Sequence, residues 1–304
     1  MYNEEVKYSY IESCRANQDP DVNQKEMTLE ALEEQEMALG KEFGDMNRDE
    51  MIHAIAESSV TYGGLVIRLK YLKDYLRWYD TEVHPVSYGD SNYAYSDIDL
   101  TESFKKKLIY SVDQIIADWN KYPAYNGDYP QPLFILIWYG LDLKQAVKIK
   151  NSDVVDCETH FVINTPSRQV IIDDPSAVRT LRYYQKWQGD NEWTRSKSDT
   201  FIYRRIRHGT ADTCKPQTSS NVSIRITRLK EREKTPKNYM NEMYAANSVK
   251  LAGMCYHVIK LENSGASEQE IIDLEKFYGF YSPQSLRVGM IKKSIECYRK
   301  AYNL

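Results

Sequence analysis

No CxxC pair occurs among the five cysteines, Cys14, Cys157, Cys214, Cys255 and Cys297. Their odd number and wide spacing argue against a disulfide framework and a cysteine-based zinc site, and favour free thiols in a reducing compartment. Long apolar runs are missing too: the longest, Leu133 to Tyr139, falls far short of the ~20 residues a membrane span needs. The opening Met1-Tyr2-Asn3-Glu4-Glu5 has neither a basic nor an apolar stretch, so no signal peptide is expected. Internal repeats and low-complexity tracts are absent. What is present, 304 residues with 42% hydrophobic content, suffices for two ordinary domains or one large one and excludes wholesale disorder.

The net charge of -4 hides a polarity along the chain. Residues 1–60 carry 15 acids against 5 bases, whereas 179–237 carry 15 bases against 6 acids. A concentrated basic region is the electrostatic footprint of phosphate binding, whatever the overall charge. The acidic first sixty residues read as a solvated surface. The 25 tyrosines are best assigned to packing and surface hydrogen bonds.

Periodicity divides the chain. Residues 1–24 read as an irregular polar arm. From Lys25 a helix, capped by Thr28 and ended by Gly44, is expected on the spacing of Leu29, Leu32, Met37, Leu39 and Phe43. Asn47 opens a second helix, and a third runs from Ser59-Val60-Thr61-Tyr62 through Leu65, Leu69, Leu72 and Leu76. These make a helical domain over 25–84, followed by a linker over 85–100 with turn chemistry. A domain over 101–304 restarts with helix at Thr101. Leu133 to Val147 reads as one buried helix containing Gly140, whose cost of ~1 kcal/mol against alanine points to close packing. Short alternating runs at 154–155, 160–163 and 169–172 form a small antiparallel sheet, and the chain after Pro175 looks helical almost to its end. The fold class is therefore mainly α with one small antiparallel sheet.

Three stretches carry a family likeness: Leu69-Lys70-Tyr71-Leu72-Lys73-Asp74-Tyr75-Leu76-Arg77-Trp78, then Trp138-Tyr139-Gly140-Leu141-Asp142-Leu143-Lys144-Gln145, then Lys150-Asn151-Ser152-Asp153. Together with the element order, they resemble the tyrosine recombinases, the phage integrase family, over about residues 25–300. That resemblance implies a helical core-binding domain, a linker and a helical catalytic domain closing on duplex DNA as a C-shaped clamp. The family's chemistry needs a tyrosine nucleophile, two arginines with a histidine or tryptophan to hold phosphate charge, and a lysine in the sheet's turn. Asp142 stands where the first arginine belongs, and a carboxylate there repels a phosphate. The turn at Asn164-Thr165 has no lysine, although Arg168 is close. Asn247-Ser248-Val249-Lys250 replaces the histidine-x-x-arginine box, Gly279-Phe280 replaces the glycine-histidine pair, and Gly289 falls where the tyrosine is due. Tyr281 lies too early, Tyr298 and Tyr302 too late.

Cooperating catalytic groups fail together, so this centre is expected to perform no strand transfer: not an enzyme. The resemblance then implies a sequence-specific, double-stranded DNA-binding repressor of a phage lytic programme, in the bacterial host cytoplasm and nucleoid-associated, with room for a regulatory protein partner and no membrane role. Expected DNA contacts are Arg68, Lys70, Lys73 and Arg77 from the first domain, Lys144, Arg168 and Lys250 near the vestigial centre, and Arg204, Arg205, Arg207, Arg225, Arg228 and Lys230 in the basic stretch. If 200–209 is helical, Arg204 and His208 share a face. A solvated basic surface is the plainer alternative for these residues. No cofactor or metal is expected: Cys255 and His257, two apart on a helix, point to different sides. Asp173-Asp174 before Pro175 reads as a turn and helix start. The rival readings are a divergent active recombinase and an interaction module that has lost DNA binding.

Overall fold

The computed structural model describes residues 1–59, 61–85, 95–121, 130–190, 199–208, 211–220, 222, 243–280 and 287–304. Mainly helical, with a small three-stranded antiparallel sheet, it has the expected fold class. The chain forms two compact units, Met1–Lys106 with Ser285–Asn303, and Lys107–Gln284.

In the first unit residues 4–16 are helical and not an irregular arm. Helix α1 (Glu4–Ala16) buries Lys7, Tyr10, Ile11 and Cys14, an i, i+3, i+4, i+7 stripe that the surrounding polar residues obscure in the sequence. The single helix expected from Lys25 is two, α2 (Val22–Glu30) and α3 (Glu33–Leu39). Thr28 lies inside α2, where its hydroxyl donates to the Gln24 carbonyl, and so caps nothing. Gly40, at φ +62, ends α3 in the left-handed conformation glycine tolerates. Gly44 serves another need: a Cβ there would lie 2.6 Å from the Tyr79 ring. Helix α4 (Arg48–Ser58) starts with the Asn47–Glu50 capping box, and Thr61 accepts from the Gly64 amide (3.1 Å) to start α5 (Tyr62–Glu82). Leu65, Leu69, Leu72, Tyr75, Leu76 and Tyr79 bury the inner face of α5 against α1, α2 and α4.

Part of the stretch expected as linker is packed here: Ile98 and Leu100 are buried, and Arg48 pairs with Asp97 at 2.9 Å. Helix α6 (Thr101–Lys107) follows. The last helix, α13 (Arg287–Tyr302), packs on α5, and its Tyr302 hydroxyl donates to the Phe104 carbonyl (2.8 Å). No periodicity could reveal that the chain's last helix joins its first unit.

The second unit is built around α8 (Pro130–Trp138), buried at every position from Gln131 on because α7 (Val112–Lys121), α10 (Pro175–Asp190) and α11 (Ala246–Asn263) surround it. Helix α8 ends before Gly140, and α9 (Leu143–Ala146) is separate, so the single helix to Val147 is corrected. Trp119 stacks on Phe134 with centroids 5.1 Å apart, and Tyr244 meets both edge-on. The sheet, β1 (Val154–Asp156), β2 (Phe161–Asn164) and β3 (Gln169–Ile172), pairs Val154 with Ile163 and Phe161 with Ile172. Phe161, Ile163, Val170 and Ile172 fill its buried face. A second correction concerns the basic stretch: β4 (Tyr203–His208) and β5 (Ala211–Pro216) form an antiparallel hairpin where helix was expected. The β-branched and aromatic positions Tyr203, Ile206 and Thr213 suit strands better than the i, i+4 reading allowed. Helix α12 (Glu268–Phe277), opened by the Ser267–Glu270 capping box, packs on α11.

Candidate nucleic-acid interface

Of the residues that the family resemblance singled out, Asp142, Arg168, Lys250 and Phe280 lie where α8, α9, the β2–β3 turn, α11 and the end of α12 meet, whereas Gly289, Tyr298 and Tyr302 are on α13 of the first unit and Tyr281 falls outside the described residues. Gly140, just past α8, has φ +94, and a Cβ on it would sit 2.9 Å from the Phe277 ring. The close packing expected at this glycine is present, but in a turn and not inside a helix. Gly140→Leu adds both left-handed strain and a clash. We expect a loss of ~1–3 kcal/mol or more, read as a lower melting temperature of the full chain.

The Gly140 carbonyl accepts a 2.7 Å bond from the Arg168 guanidinium, whose centre lies 3.7 Å from the centroid of the Phe277 ring. Arg168 is held in the β2–β3 turn by Thr165, whose amide donates to the Arg168 carbonyl (2.9 Å) and whose hydroxyl accepts from the Arg168 amide (3.1 Å). Desolvation lowers the Arg168 pKa from its ordinary value, and the charge of nearby Asp142 partly opposes this.

Asp142 stands at the start of α9, its amide donating to the Gln145 side chain (3.1 Å). Its carboxylate accepts from the ammonium of Lys250, a residue only 8% exposed on α11. The Lys250 ammonium also faces the Phe280 ring at 5.8 Å. Asp142 thus neutralises Lys250, and the sequence resemblance places both near its phosphate-binding positions. One hundred and eight positions separate the pair, and no local pattern in the sequence links them.

Beneath this layer, the Tyr278 hydroxyl donates to the Trp138 carbonyl (2.8 Å) and lies 2.8 Å from Nδ1 of His257, which is 2.7 Å from the Gly253 carbonyl. Burial pushes the His257 pKa down to about 4, so the ring is neutral at pH 7. Its place among Trp138, Tyr139, Tyr256 and Tyr278 gives it a packing role. Among the described residues no His, Cys, Asp or Glu cluster could hold a metal ion. Tyr139 explains Asp173-Asp174: its hydroxyl donates to Asp173 (3.3 Å) and accepts from the Asp174 amide (3.1 Å), while the Asp174 carboxylate accepts from the Ser176 and Ala177 amides at the start of α10.

The remaining candidates divide by place. Lys144 is exposed on α9 and has no ion-pair partner among the described residues. On α5 of the first unit, helical geometry gathers Lys70, Lys73 and Arg77 on one face and puts Arg68 roughly opposite. Lys70 pairs with Asp21 (3.0 Å) and Arg77 with Asp74 (3.4 Å), both exposed contacts of the kind that solvent and salt weaken. Arg204, Arg205 and Arg207 lie on β4, opposite Lys215, Cys214 and Asp212 respectively. Arg225, Arg228 and Lys230 fall outside the described residues. Sequence reasoning missed Phe277, the platform for Arg168, because its neighbours on α12 are acidic and it looks like an ordinary core residue.

No family model matches the chain, and no curated protein sequence matches it. Among solved structures it is similar to the XerH site-specific recombinase, captured with a palindromic difH substrate in a post-cleavage complex, at 11% identity and a TM-score of 0.36. The match covers 84% of this chain and 69% of that one. No described helix is long and apolar enough to cross a membrane.

Proposed function

We propose that the chain is a sequence-specific double-stranded DNA-binding repressor of a phage lytic programme, on a tyrosine-recombinase-like scaffold that has lost its chemistry. In sequence it resembles the master lysogeny repressor of SP-beta-like bacteriophages. The observation that carries the loss of chemistry is the Asp142–Lys250 ion pair, which cancels positive charge where a recombinase needs it for a phosphate. The tyrosines support the same reading. Tyr298 is fully buried and Tyr302 already donates to backbone, so neither offers a free hydroxyl for attack. DNA binding itself rests on the basic stretch and the sequence resemblance, with host-cytoplasmic, nucleoid-associated residence following from them.

The test selects bound fragments from a genomic duplex pool, then measures affinity for the selected site by fluorescence anisotropy at several salt concentrations. Log affinity should fall with log salt at about -0.9 per phosphate neutralised. Lys144→Gln should flatten that slope by about one unit, as should Lys70→Gln, Arg205→Gln and Arg228→Gln if each meets a phosphate. Lys250→Gln should leave the slope unchanged, because Asp142 already answers its charge. A suicide substrate should yield no phosphotyrosyl adduct. Adduct formation would establish a divergent recombinase instead, and absence of salt-dependent binding to any duplex would establish an interaction module.

A further inference from the structure

The base of the β4–β5 hairpin is tied to the segment that precedes β1: the Phe201 amide donates to the Ile149 carbonyl (2.7 Å), and Thr200 bridges Lys150. Tyr203, at the start of β4, is buried and stacks on Tyr184 of α10 with centroids 6.0 Å apart. Beyond that base, among the described residues, the two strands pack chiefly on each other. Alternation gives the ribbon two faces. Tyr203, Arg205 and Arg207 share the face whose tyrosine packs on α10, and Arg207 has an acid, Asp212, directly opposite. Arg204 and Ile206 share the other face with Lys215 and Thr213, and no Asp or Glu of either strand belongs to it. On that face Arg204 stands directly opposite Lys215. Like charges opposed across a ladder destabilise it, and a two-stranded hairpin is marginal to begin with. Such a pair is retained where electronegative atoms from outside the chain answer both cations.

We propose that this acid-free face reads base sequence from the major groove of duplex DNA. The assignment rests on the repressor reading and names the surface and the chemistry behind its specificity. A major groove about 12 Å wide admits a ribbon whose strands lie about 4.8 Å apart, whereas the deep, narrow major groove of A-form RNA does not. Its floor presents guanine O6 and N7, acceptors for Arg204 and Lys215, and thymine methyl groups, which suit the apolar Ile206 and the methyl of Thr213. Arg205, on the opposite face, meets phosphate and carries no sequence information.

Base analogues that alter one groove at a time test this with the full chain, at a site selected from a genomic duplex pool. Replacing the site's guanines by 7-deazaguanine removes the N7 acceptor, and replacing its thymines by uracil removes the methyl groups. Each change should weaken binding about tenfold, read by fluorescence anisotropy. Inosine for guanine removes only the minor-groove amino group and should leave affinity within about twofold. Arg204→Gln and Lys215→Gln should each weaken the selected site about tenfold and random duplex about threefold at most, whereas Arg205→Gln should weaken both duplexes alike. In the Arg204→Gln protein, 7-deazaguanine should cost little more. Equal weakening of both duplexes by Arg204→Gln and Lys215→Gln would overturn the proposal, as would indifference of the wild type to both 7-deazaguanine and uracil, or a loss with inosine alone. Should the variants fail to fold, the analogues decide with wild-type protein. Sequence-selective binding that both variants leave intact overturns the hairpin assignment alone, whereas absence of salt-dependent binding to any duplex overturns the repressor reading and this proposal with it.

Discussion

Lys7→Met should destabilise the first unit by about 3–5 kcal/mol, the penalty typical of breaking a buried ion pair from one side. Lys7 and Glu36 are both fully buried, joined by a direct ammonium–carboxylate contact, with Glu42 3.8 Å from the same ammonium. The rest of the pocket is polar and partly satisfied: Glu36 accepts from the Phe43 amide (3.1 Å) and Glu42 from the Tyr75 hydroxyl (2.8 Å). Two carboxylates share one cation. Burial first, then the Glu42 charge, raises the Glu36 pKa to about 7 despite the opposing pull of Lys7. A carboxyl whose folded pKa lies above its unfolded value of 4.5 adds stability at low pH and loses it as pH rises through 7. Removing the ammonium therefore costs more at pH 8 than at pH 5. Urea titrations of the full chain at the two values check this, and equal losses would show that Glu36 titrates normally. Lys7→Met with Glu36→Gln should recover much of the loss, since the second change removes one of the stranded charges.

Gly253→Val should lower stability of the second unit by about 4 kcal/mol, above the ~1–3 kcal/mol of ordinary overpacking. Gly253 lies in α11 where that helix crosses α8, and a Cβ on it would fall 2.0 Å from the Trp138 carbonyl oxygen and 2.8 Å from its carbon. Backbone cannot rotate aside as a side chain can. The two helices would have to separate, loosening Trp138 and breaking the Tyr278 bond to its carbonyl. Thermal unfolding measures the loss, and a melting temperature unchanged from wild type would show that the helices separate at little cost. Gly253→Ala, meeting the same atoms with less bulk, should fall between.

Local chemistry was legible wherever a residue's partner lies within a few positions. The Asn47 box and the Thr61 cap are three-residue devices. Strands β2 and β3 of the sheet show their alternation directly, because one face is buried and the other is open to solvent. The apolar run from Leu133 announces a helix surrounded on all sides, and mainly α with one small sheet follows from these elements taken together. Amphipathic α1 was hidden because its buried stripe includes Lys7, a residue that a pattern of apolar positions assigns to solvent. The β4–β5 hairpin was read as helix because basic and apolar residues alternate irregularly there, and cross-strand pairing rather than periodicity decides it.

What the sequence by itself determined is the class of fold and the start of several helices and strands. Tertiary structure alone decided the rest: α13 on α5, Gly253 against Trp138, Arg168 over Phe277, and Asp142 with Lys250. The reason is physical. Caps and alternation are energies of neighbours along the chain, whereas a buried ion pair or a helix crossing gains its energy only when distant segments exclude water between them, and one chain's order of residues does not say which segments those are.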